Sequence, residues 1–224
     1  MLLKLYYHPL SSFCHKALIA LYENDTPFEP IIVDLTDEKS SAEMRSLWPV
    51  GKFPVLHDTA RNATAAEATV IIDYLDTHYP GATRFVPADA DLAWQARMWD
   101  RFVDLYIHEQ LQKIVGDNLR PAEAKDAYGV GQAIKRLQSS YAIFDRMLAG
   151  KTWALGDHYS LVDCAASPAL FYARLAVAFE PAQKNLNAYY DRLMRRPSYA
   201  RALKEAEPYF DWVPLANKPQ MPKE

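Results

Sequence analysis

The sequence predicts an α/β region followed by an all-α region. Up to about His78 short apolar runs alternate with helical patterns, whereas beyond Asp89 every long apolar pattern has helical spacing. Half of the 224 residues are hydrophobic, which is enough for a sizeable core. Between the two regions lies a stretch with Pro, Gly and little periodicity. We therefore predict domains at residues 1–79 and 91–224, joined by a linker at 80–90.

Strands and helices alternate in the first region. Strands are predicted over "LLKLYY", "FEPIIVDL", "FPVLHD" and, weakly, "RNATA", and helices over residues 15–23, "SAEMRSLW" and "EATVIIDYLDTHY". A strand, a helix and a second strand in succession favour a parallel pair with a right-handed crossover.

The second region has apolar stripes that are typical of a helical bundle. "MWDRFVDLYIHEQLQKIV" places Trp99, Phe102, Val103, Tyr106, Leu111 and Ile114 along one face. "AIKRLQSSYAIFDRML" repeats this spacing before Gly150, where a helix can stop. Ser160 and Asp163 have the spacing of a capping box. The tail "PLANKPQMPKE" is predicted to be loosely held.

Charge and composition exclude several function classes. The formal charge is −3 and the pI about 6.1, with Lys and Arg spread along the chain, so nucleic acid is not an expected partner. The N-terminus reaches Pro9 before the apolar core of a signal peptide could form, and no stretch approaches about 18 apolar residues. We expect a cytoplasmic protein that does not enter a membrane.

Neither the cysteines nor the histidines are spaced for metal binding. Cys14 and Cys164 lie too far apart in sequence to resemble a zinc motif or a disulfide framework. The six histidines form no H-x-x-x-H pair. No metal is therefore expected.

The stretch "YYHPLSSFCHKALIALYE" begins as a strand and ends as a helix, with S-x-x-C in the turn. This is the layout of thioredoxin-like folds, which normally carry C-x-x-C there. With Ser11 in place of the first thiol the dithiol chemistry is lost, while a helix N-terminus that favours a thiolate remains. This suggests that the reactive thiol belongs to a ligand.

The chain resembles the cytosolic glutathione S-transferases over nearly its whole length. The resemblance rests on "HPLSSFCHKALIALYE", "VGKFPVL", "AEATVIIDYL", "SLVD" and "RRPSYARAL", in this order. The first stretch is most similar to the serine-type bacterial, phi, theta and zeta classes, and to beta-like proteins. The family implies a thioredoxin-like domain with a mixed four-stranded sheet and helices, then a C-terminal helical bundle domain that contributes the electrophile pocket. It also implies a cytoplasmic detoxification enzyme, working as a homodimer on glutathione and a small hydrophobic electrophile.

The resemblance suggests Ser11 as the catalytic residue whose hydroxyl donates to the glutathione sulfur. A shift of one residue would give Ser12 that role, and Tyr7 at the end of the first strand is a third candidate. The serines could also merely cap the helix. Cys14 lies one turn further on, where it is either a small buried thiol or a redox group.

Two further motifs would bind glutathione. "FPVL" resembles the cis-proline loop of the family, with Phe53 before a cis Pro54, and the backbone of Val55 pairing with the cysteinyl part. Lys52 could pair with the glycine carboxylate.

Glu67 and Ala68 match the Glu-Ser pair that holds the γ-glutamyl end in the family. The Ser hydroxyl is missing at Ala68, so weaker glutathione binding is expected.

The electrophile pocket leaves no motif in the sequence. Tyr7, Phe13, Tyr106 and His108 are candidates to line it, although core packing explains Phe13, Tyr106 and His108 equally well. Two alternatives to a transferase stay open: a glutathione-dependent thiol reductase or peroxidase that uses Cys14, and a non-catalytic binding module with the transferase fold.

Overall fold

A computed structural model describes residues 2–222 and contains both predicted regions. In the first region the elements are β1 (Leu3–Tyr7), α1 (Ser12–Glu23), β2 (Glu29–Ile32), α2 (Glu38–Leu47), β3 (Val55–Asp58), β4 (Ala63–Ala66) and α3 (Ala68–His78). In the second they are α4 (Ala90–Phe102), a π-helical turn (Val103–His108), α5 (Glu109–Asn118), α6 (Ala127–Met147), α7 (Leu161–Ala176), α8 (Lys184–Met194) and α9 (Pro197–Ala206). Short 3₁₀ segments lie at Ala122–Ala124 and Glu207–Trp212. The predicted order of an α/β region and an all-α region is confirmed.

The sheet is mixed, as predicted. Among the described residues it has four strands in the order β2-β1-β3-β4, with β1 parallel to β2 and β3 antiparallel to both β1 and β4. Side chains of α1 and α3 cover one face in the main core. A small cluster of Tyr6, Val33, Met44 and Val55, partly from α2, covers the other.

Helix α1 lies at the centre of the molecule. It packs against α3 in its own region and against α7 and α9 in the other. Nine of its twelve residues are buried, because neighbours surround nearly its whole circumference. The main hydrophobic core therefore runs through both regions and fixes how they meet.

The π-helical turn changes the predicted apolar stripe. Hydrogen bonds from residue i to i+5 add one residue to a turn, so residues four and five apart share a face. Val103, Ile107 and His108 are accordingly buried, and Tyr106 is 52% exposed. The prediction that Tyr106 continues the stripe is wrong for this reason.

The predicted capping box of α7 is confirmed. The backbone N–H and the hydroxyl of Ser160 both donate to Asp163, each at 2.8 Å, and Tyr189 donates to the same carboxylate at 2.6 Å. These bonds give Asp163 a structural role.

Within residues 2–222, no helix combines the length and apolar character that crossing a bilayer requires.

The C-terminal segment is docked, contrary to prediction. Val213, just before the predicted tail, and Leu215 within it are buried, and the Asn217 side chain donates to the Leu175 carbonyl at 2.9 Å. The tail is therefore held against the helices at least over these residues. The last two residues, 223 and 224, lie outside the described residues.

Candidate functional site

A cavity of about 910 Å³ lies between the two regions. The start of α1, residues 51–54 and the start of α3 form one side, here called the α/β wall. Helix α5 and residues 213–215 contribute to the other, here called the helical wall. Of the predicted site residues, the cavity is lined by Ser11, Ser12, Phe13, Lys52, Phe53, Pro54, Glu67 and Ala68. Tyr7, Val55, Tyr106 and His108 lie outside its wall.

Ser11 precedes the first turn of α1 and caps it. Its backbone is extended, with φ −73° and ψ 118°, and its Oγ accepts a long bond of 3.4 Å from the Cys14 N–H. Among the described residues none accepts the Ser11 hydroxyl proton. That proton is thus available to a group in the cavity.

Ser12 is bonded across the two regions. Its Oγ lies 2.5 Å from Nε2 of His108, at the end of the π-helical turn. Ser12 is only 7% exposed although it reaches the cavity wall. Its hydroxyl is therefore held against the His108 ring, unlike that of Ser11.

His108 is a neutral ring inside the protein. The residue is fully buried, and Phe13 stacks on it with ring centroids 3.8 Å apart. Burial lowers the pKa of His108 to about 3, and the charge of Lys16 acts in the same direction. Its expected place in the electrophile pocket is corrected: the π-helical turn puts the ring behind Ser12.

The loop before β3 shapes the next part of the α/β wall. The Phe53–Pro54 bond is cis, as predicted. Gly51 has φ +71°, and a Cβ there would lie 2.5 Å from the Arg45 side chain, so a larger residue would be strained. This loop brings Lys52, Phe53 and Pro54 to the cavity.

Val55 does not line the cavity. It pairs with Tyr6 of β1 and with Ala66 of β4, and its side chain is fully buried. A strand with neighbours on both sides has no free edge for a ligand. The backbone that reaches the cavity from this loop belongs to residues 51–54 instead.

The start of α3 has an unusual backbone. Glu67, the residue before the helix, has φ +68° and ψ 122°, a backbone conformation that residues other than glycine rarely adopt. Its side chain makes no capping bond, and both Glu67 and Ala68 line the cavity. Free N–H groups at a helix start suit an anion, and strain of this kind is often found at ligand sites.

Cys14 and Tyr7 are buried near the site and do not reach the cavity. Burial raises the pKa of the Cys14 thiol to about 12. Tyr7 is 5% exposed, and burial raises its pKa to about 12. Both groups are held protonated at neutral pH, and the structure corrects the expected place of Tyr7 in the pocket.

The helical wall comes from residues that sequence reasoning missed. Its apolar surface includes Leu111 and Val115 of α5 and Leu119 directly after it, together with Val213 and Leu215. The spacing of four residues along α5 and its C-cap could have suggested the first three. No signal in the sequence places residues 213–215 opposite α1.

His8 is another site residue that the sequence did not reveal. Its ring lies 5.0 Å from that of Tyr209 and 6.2 Å from that of Phe53, and it lines the cavity. Burial lowers the pKa of His8. This aromatic contact joins the C-terminal segment to the α/β wall.

Over residues 2–222 no group of three or more His, Cys, Asp or Glu side chains could hold a metal ion.

Two family models match the chain. The model described as "Glutathione S-transferase, N-terminal domain" matches residues 5–83, and "Glutathione S-transferase, C-terminal domain" matches residues 102–197. Together they cover more than half of the chain.

Curated relatives include an enzyme and a protein named for another role. Glutathione S-transferase GstB of Escherichia coli K12 is 24% identical over 84% of this chain and 91% of its own length. A stringent starvation protein A homolog of Haemophilus influenzae is 26% identical over 88% of this chain and 87% of its own.

A similar solved structure is a glutathione S-transferase from Methylobacillus flagellatus with glutathione bound. The TM-score is 0.81 at 23% identity, over 89% of this chain and 98% of that one. At this identity the likeness shows the fold.

Proposed function

The chain belongs to the glutathione S-transferase family of enzymes, and we propose that it joins the sulfur of glutathione to small hydrophobic electrophiles. The observation that carries the proposal is the free hydroxyl of Ser11 at the start of α1, in the cavity wall. The thiol loses its proton to water, and the thiolate forms a sulfur–carbon bond with the electrophile. A leaving group departs with the electron pair of the bond that breaks.

The energy needed to ionise the thiol is within reach of these groups. A free thiol has a pKa of about 8.5, and lowering it by two units requires about 2.7 kcal/mol. A hydrogen bond to a charged group contributes about 1.5–3 kcal/mol, and a helix N-terminus about 0.3–1 kcal/mol. Ser11 and the start of α1 together suffice without a general base.

We assign Ser12 a positioning role. Its Oγ is bonded at 2.5 Å to His108, so it ties the start of α1 to the π-helical turn. This bond holds the backbone of Ser11 in place. His108 thus supports the site from behind, although it does not touch the cavity.

Glutathione would bind along the α/β wall. Lys52 forms no ion pair with a described residue and can meet the glycine carboxylate. The backbone of Phe53, beside the cis Pro54, can pair with the cysteinyl part. At the start of α3, Glu67 can meet the γ-glutamyl ammonium, and the N–H of Ala68 its carboxylate.

The electrophile would lie against the helical wall. Leu111 and Val115 of α5, with Leu119 and Leu215, offer it an apolar surface. Apolar walls of this kind select by size and hydrophobicity more than by hydrogen bonds. Phe13 can also contact it from the α/β wall.

The two alternatives differ in support. A reductase or peroxidase that uses Cys14 conflicts with a buried thiol whose pKa is raised to about 12. A non-catalytic binding module keeps some support, because one relative is named stringent starvation protein A homolog and Ala68 lacks the family's hydroxyl.

We propose a cytoplasmic homodimer with a role in detoxification. Trp94, Met98 and Leu105 are about half exposed. Trp94 and Met98 are four residues apart in α4, which places them on one helical face. A second copy could cover this stripe. The two free cysteines are typical of a reducing compartment.

The proposal is tested by titrating the thiol of bound glutathione, following thiolate ultraviolet absorbance against pH. In the wild type we expect the bound thiol to ionise about two pKa units below its free value. Ser11→Ala should raise the bound pKa by about 1–2 units, because one charge-assisted hydrogen bond is lost. Ser12→Ala should raise it by less, under about half a unit, because Ser12 acts only through the position of Ser11.

Three other outcomes would change the proposal. If only Ser12→Ala abolishes the shift, the roles of the two serines are exchanged. If neither variant does so, a hydroxyl does not stabilise the sulfur. If no glutathione binds at millimolar concentration, the binding module becomes the preferred function.

A further inference from the structure

The turn that carries Ser11 also fixes the ring of His8. The backbone N–H of Ser11 donates to the His8 carbonyl at 3.0 Å, which closes a tight turn just before α1. Within that turn the Leu10 N–H donates to Nδ1 of the His8 ring at 3.1 Å. His8 is half-buried and lines the cavity between the two regions. The ring therefore belongs to the same turn as the hydroxyl proposed to bind the sulfur.

The bond from Leu10 decides which nitrogen of the His8 ring carries the proton. Because Nδ1 accepts from Leu10, the proton of a neutral imidazole lies on Nε2. Burial lowers the pKa of His8, against a smaller opposite effect of the Asp34 charge, so the ring is neutral at pH 7. Among residues 2–222 no group accepts from Nε2. His8 thus brings to the cavity wall a neutral N–H donor that no described residue occupies.

Aromatic neighbours hold the His8 ring in place. Phe53 stacks on it with centroids 6.2 Å apart, Tyr209 meets it edge-on at 5.0 Å, and Trp212 lies 6.3 Å away. Phe53 is the residue whose backbone is proposed to pair with the cysteinyl part of glutathione. The ring therefore lies between the two segments that would surround the sulfur. A donor that is already fixed needs no rearrangement when charge develops beside it.

We propose that His8 is a further catalytic residue, whose Nε2–H donates to a carbonyl oxygen of the electrophile, and that the preferred electrophiles are α,β-unsaturated ketones and aldehydes. This inference rests on the proposed function and names the substrate class of that site. It makes the neutral imidazole a donor to an oxygen, a role that needs no proton transfer from the ring.

The chemistry of the addition explains why such a donor matters. A lone pair of the thiolate sulfur forms a bond to the β-carbon, and the π electrons of the C=C bond shift towards the carbonyl group. Negative charge develops on the carbonyl oxygen, where the Nε2–H would stabilise it. The resulting enolate then takes a proton from water at its α-carbon. An alkyl halide has no such oxygen, because its negative charge leaves with the halide.

The test compares two electrophiles with the same phenylpropenyl body. One is the enone 4-phenylbut-3-en-2-one, and the other is cinnamyl bromide, which reacts by loss of bromide. The kcat/KM of each is measured with the full chain at saturating glutathione. The ratio of the two values is the readout, because a change in the fraction of folded protein affects both equally.

Two substitutions of His8 separate the donor from the turn. In His8→Asn the side-chain oxygen can still accept from the Leu10 N–H, as in an Asx turn, but its amide is too short to replace Nε2. His8→Gln carries an amide N–H that can reach the position of Nε2. We expect His8→Asn to lower kcat/KM at least about tenfold for the enone and less than about twofold for the bromide. His8→Gln should restore most of the enone activity.

Two further variants serve as references. Ser11→Ala should lower kcat/KM for both electrophiles, because it acts on the thiolate that both reactions share. His158→Asn removes an imidazole at an exposed position outside the cavity and should change neither value.

The outcomes separate this inference from the proposed function. A fall in the enone-to-bromide ratio in His8→Asn that His8→Gln reverses supports it. Equal losses for both electrophiles in His8→Asn would give His8 a structural role and overturn it. Turnover of the bromide but not of the enone by the wild type would overturn it too, and would leave the transferase function standing. If the wild type turns over neither, the proposed function itself fails.

Discussion

The two walls of the cavity are built in different ways. In the α/β wall each residue proposed to bind glutathione lies at or next to a local backbone feature: the cap at Ser11, the cis bond before Pro54 and the positive φ at Glu67. In the helical wall α5 meets residues 213–215 across a long stretch of sequence, and Asn118 donates to the Pro214 carbonyl 96 positions away. The α/β wall is thus built from local features, and the helical wall is a product of long-range packing.

Two buried polar contacts hold the regions behind these walls together. One is the bond between Ser12 and His108. The other is Lys16 of α1, fully buried, whose ammonium lies 2.5 Å from Asp100 and 3.0 Å from Asp104. Both join α1 to α4 or to the π-helical turn. Breaking them tests how far the two walls depend on each other.

The largest effect is expected for Lys16→Met. Methionine fills a similar volume but leaves the carboxylate of Asp100, only 1% exposed, without its main partner. Breaking a buried ion pair from one side costs about 3–5 kcal/mol. We expect a loss of this size in the free energy of unfolding, measured by urea denaturation.

Arg101→Ala is the control for this change. Its side chain is 53% exposed while it pairs with the same Asp100. An exposed pair contributes less than about 1 kcal/mol. A similar small loss in Lys16→Met would mean that the ion pair does not hold the two regions together.

A smaller effect is expected on acidification. Burial lowers the pKa of His15 to about 4 and that of His108 to about 3, from an unfolded value near 6.5. Below about pH 6.5 the unfolded chain therefore binds more protons than the folded one. The free energy of unfolding then decreases as the pH is lowered. At pH 5 each histidine accounts for a loss of about 2 kcal/mol in the free energy of unfolding.

This acid effect is measured by denaturation of each variant at pH 7 and pH 5. His108→Gln and His15→Gln should each remove about 2 kcal/mol of the decline. The exposed His158 provides the control substitution, His158→Gln. A decline unchanged in all three variants would assign acid sensitivity to other groups.

The smallest effects are expected for a pair of variants that separate the walls. Leu119 lines the helical wall at 70% exposure, so Leu119→Ala should raise the KM of the electrophile about threefold to tenfold, with little loss of stability. Ala68→Ser restores a hydroxyl at the start of α3 and should lower the KM of glutathione by a similar factor. Each variant is the control for the other in steady-state kinetics. Changes in both KM values from one variant would mean that the walls are coupled.

Sequence reasoning was strongest where one element carries its own signal. The order of strands and helices and the capping box of Ser160 and Asp163 are both present in the structure. The cis bond before Pro54, which the family resemblance implied, is present as well. Sequence reasoning failed at Tyr106, where a π-helical turn replaces the expected α-helical spacing. It also failed at the tail, because the burial of Leu215 and the bond from Asn217 to the Leu175 carbonyl depend on distant segments.

The sequence by itself determined the two regions, the serine pair at a helix start and the absence of the first thiol. These follow from periodicity and from residues a few positions apart, whose backbone preferences are local. Only the tertiary structure decided that His108 stands behind Ser12, that Val55 is enclosed in the sheet, and which residues form the helical wall of the cavity. Those contacts join segments far apart in sequence, and long-range packing leaves no periodic pattern in the segments it brings together.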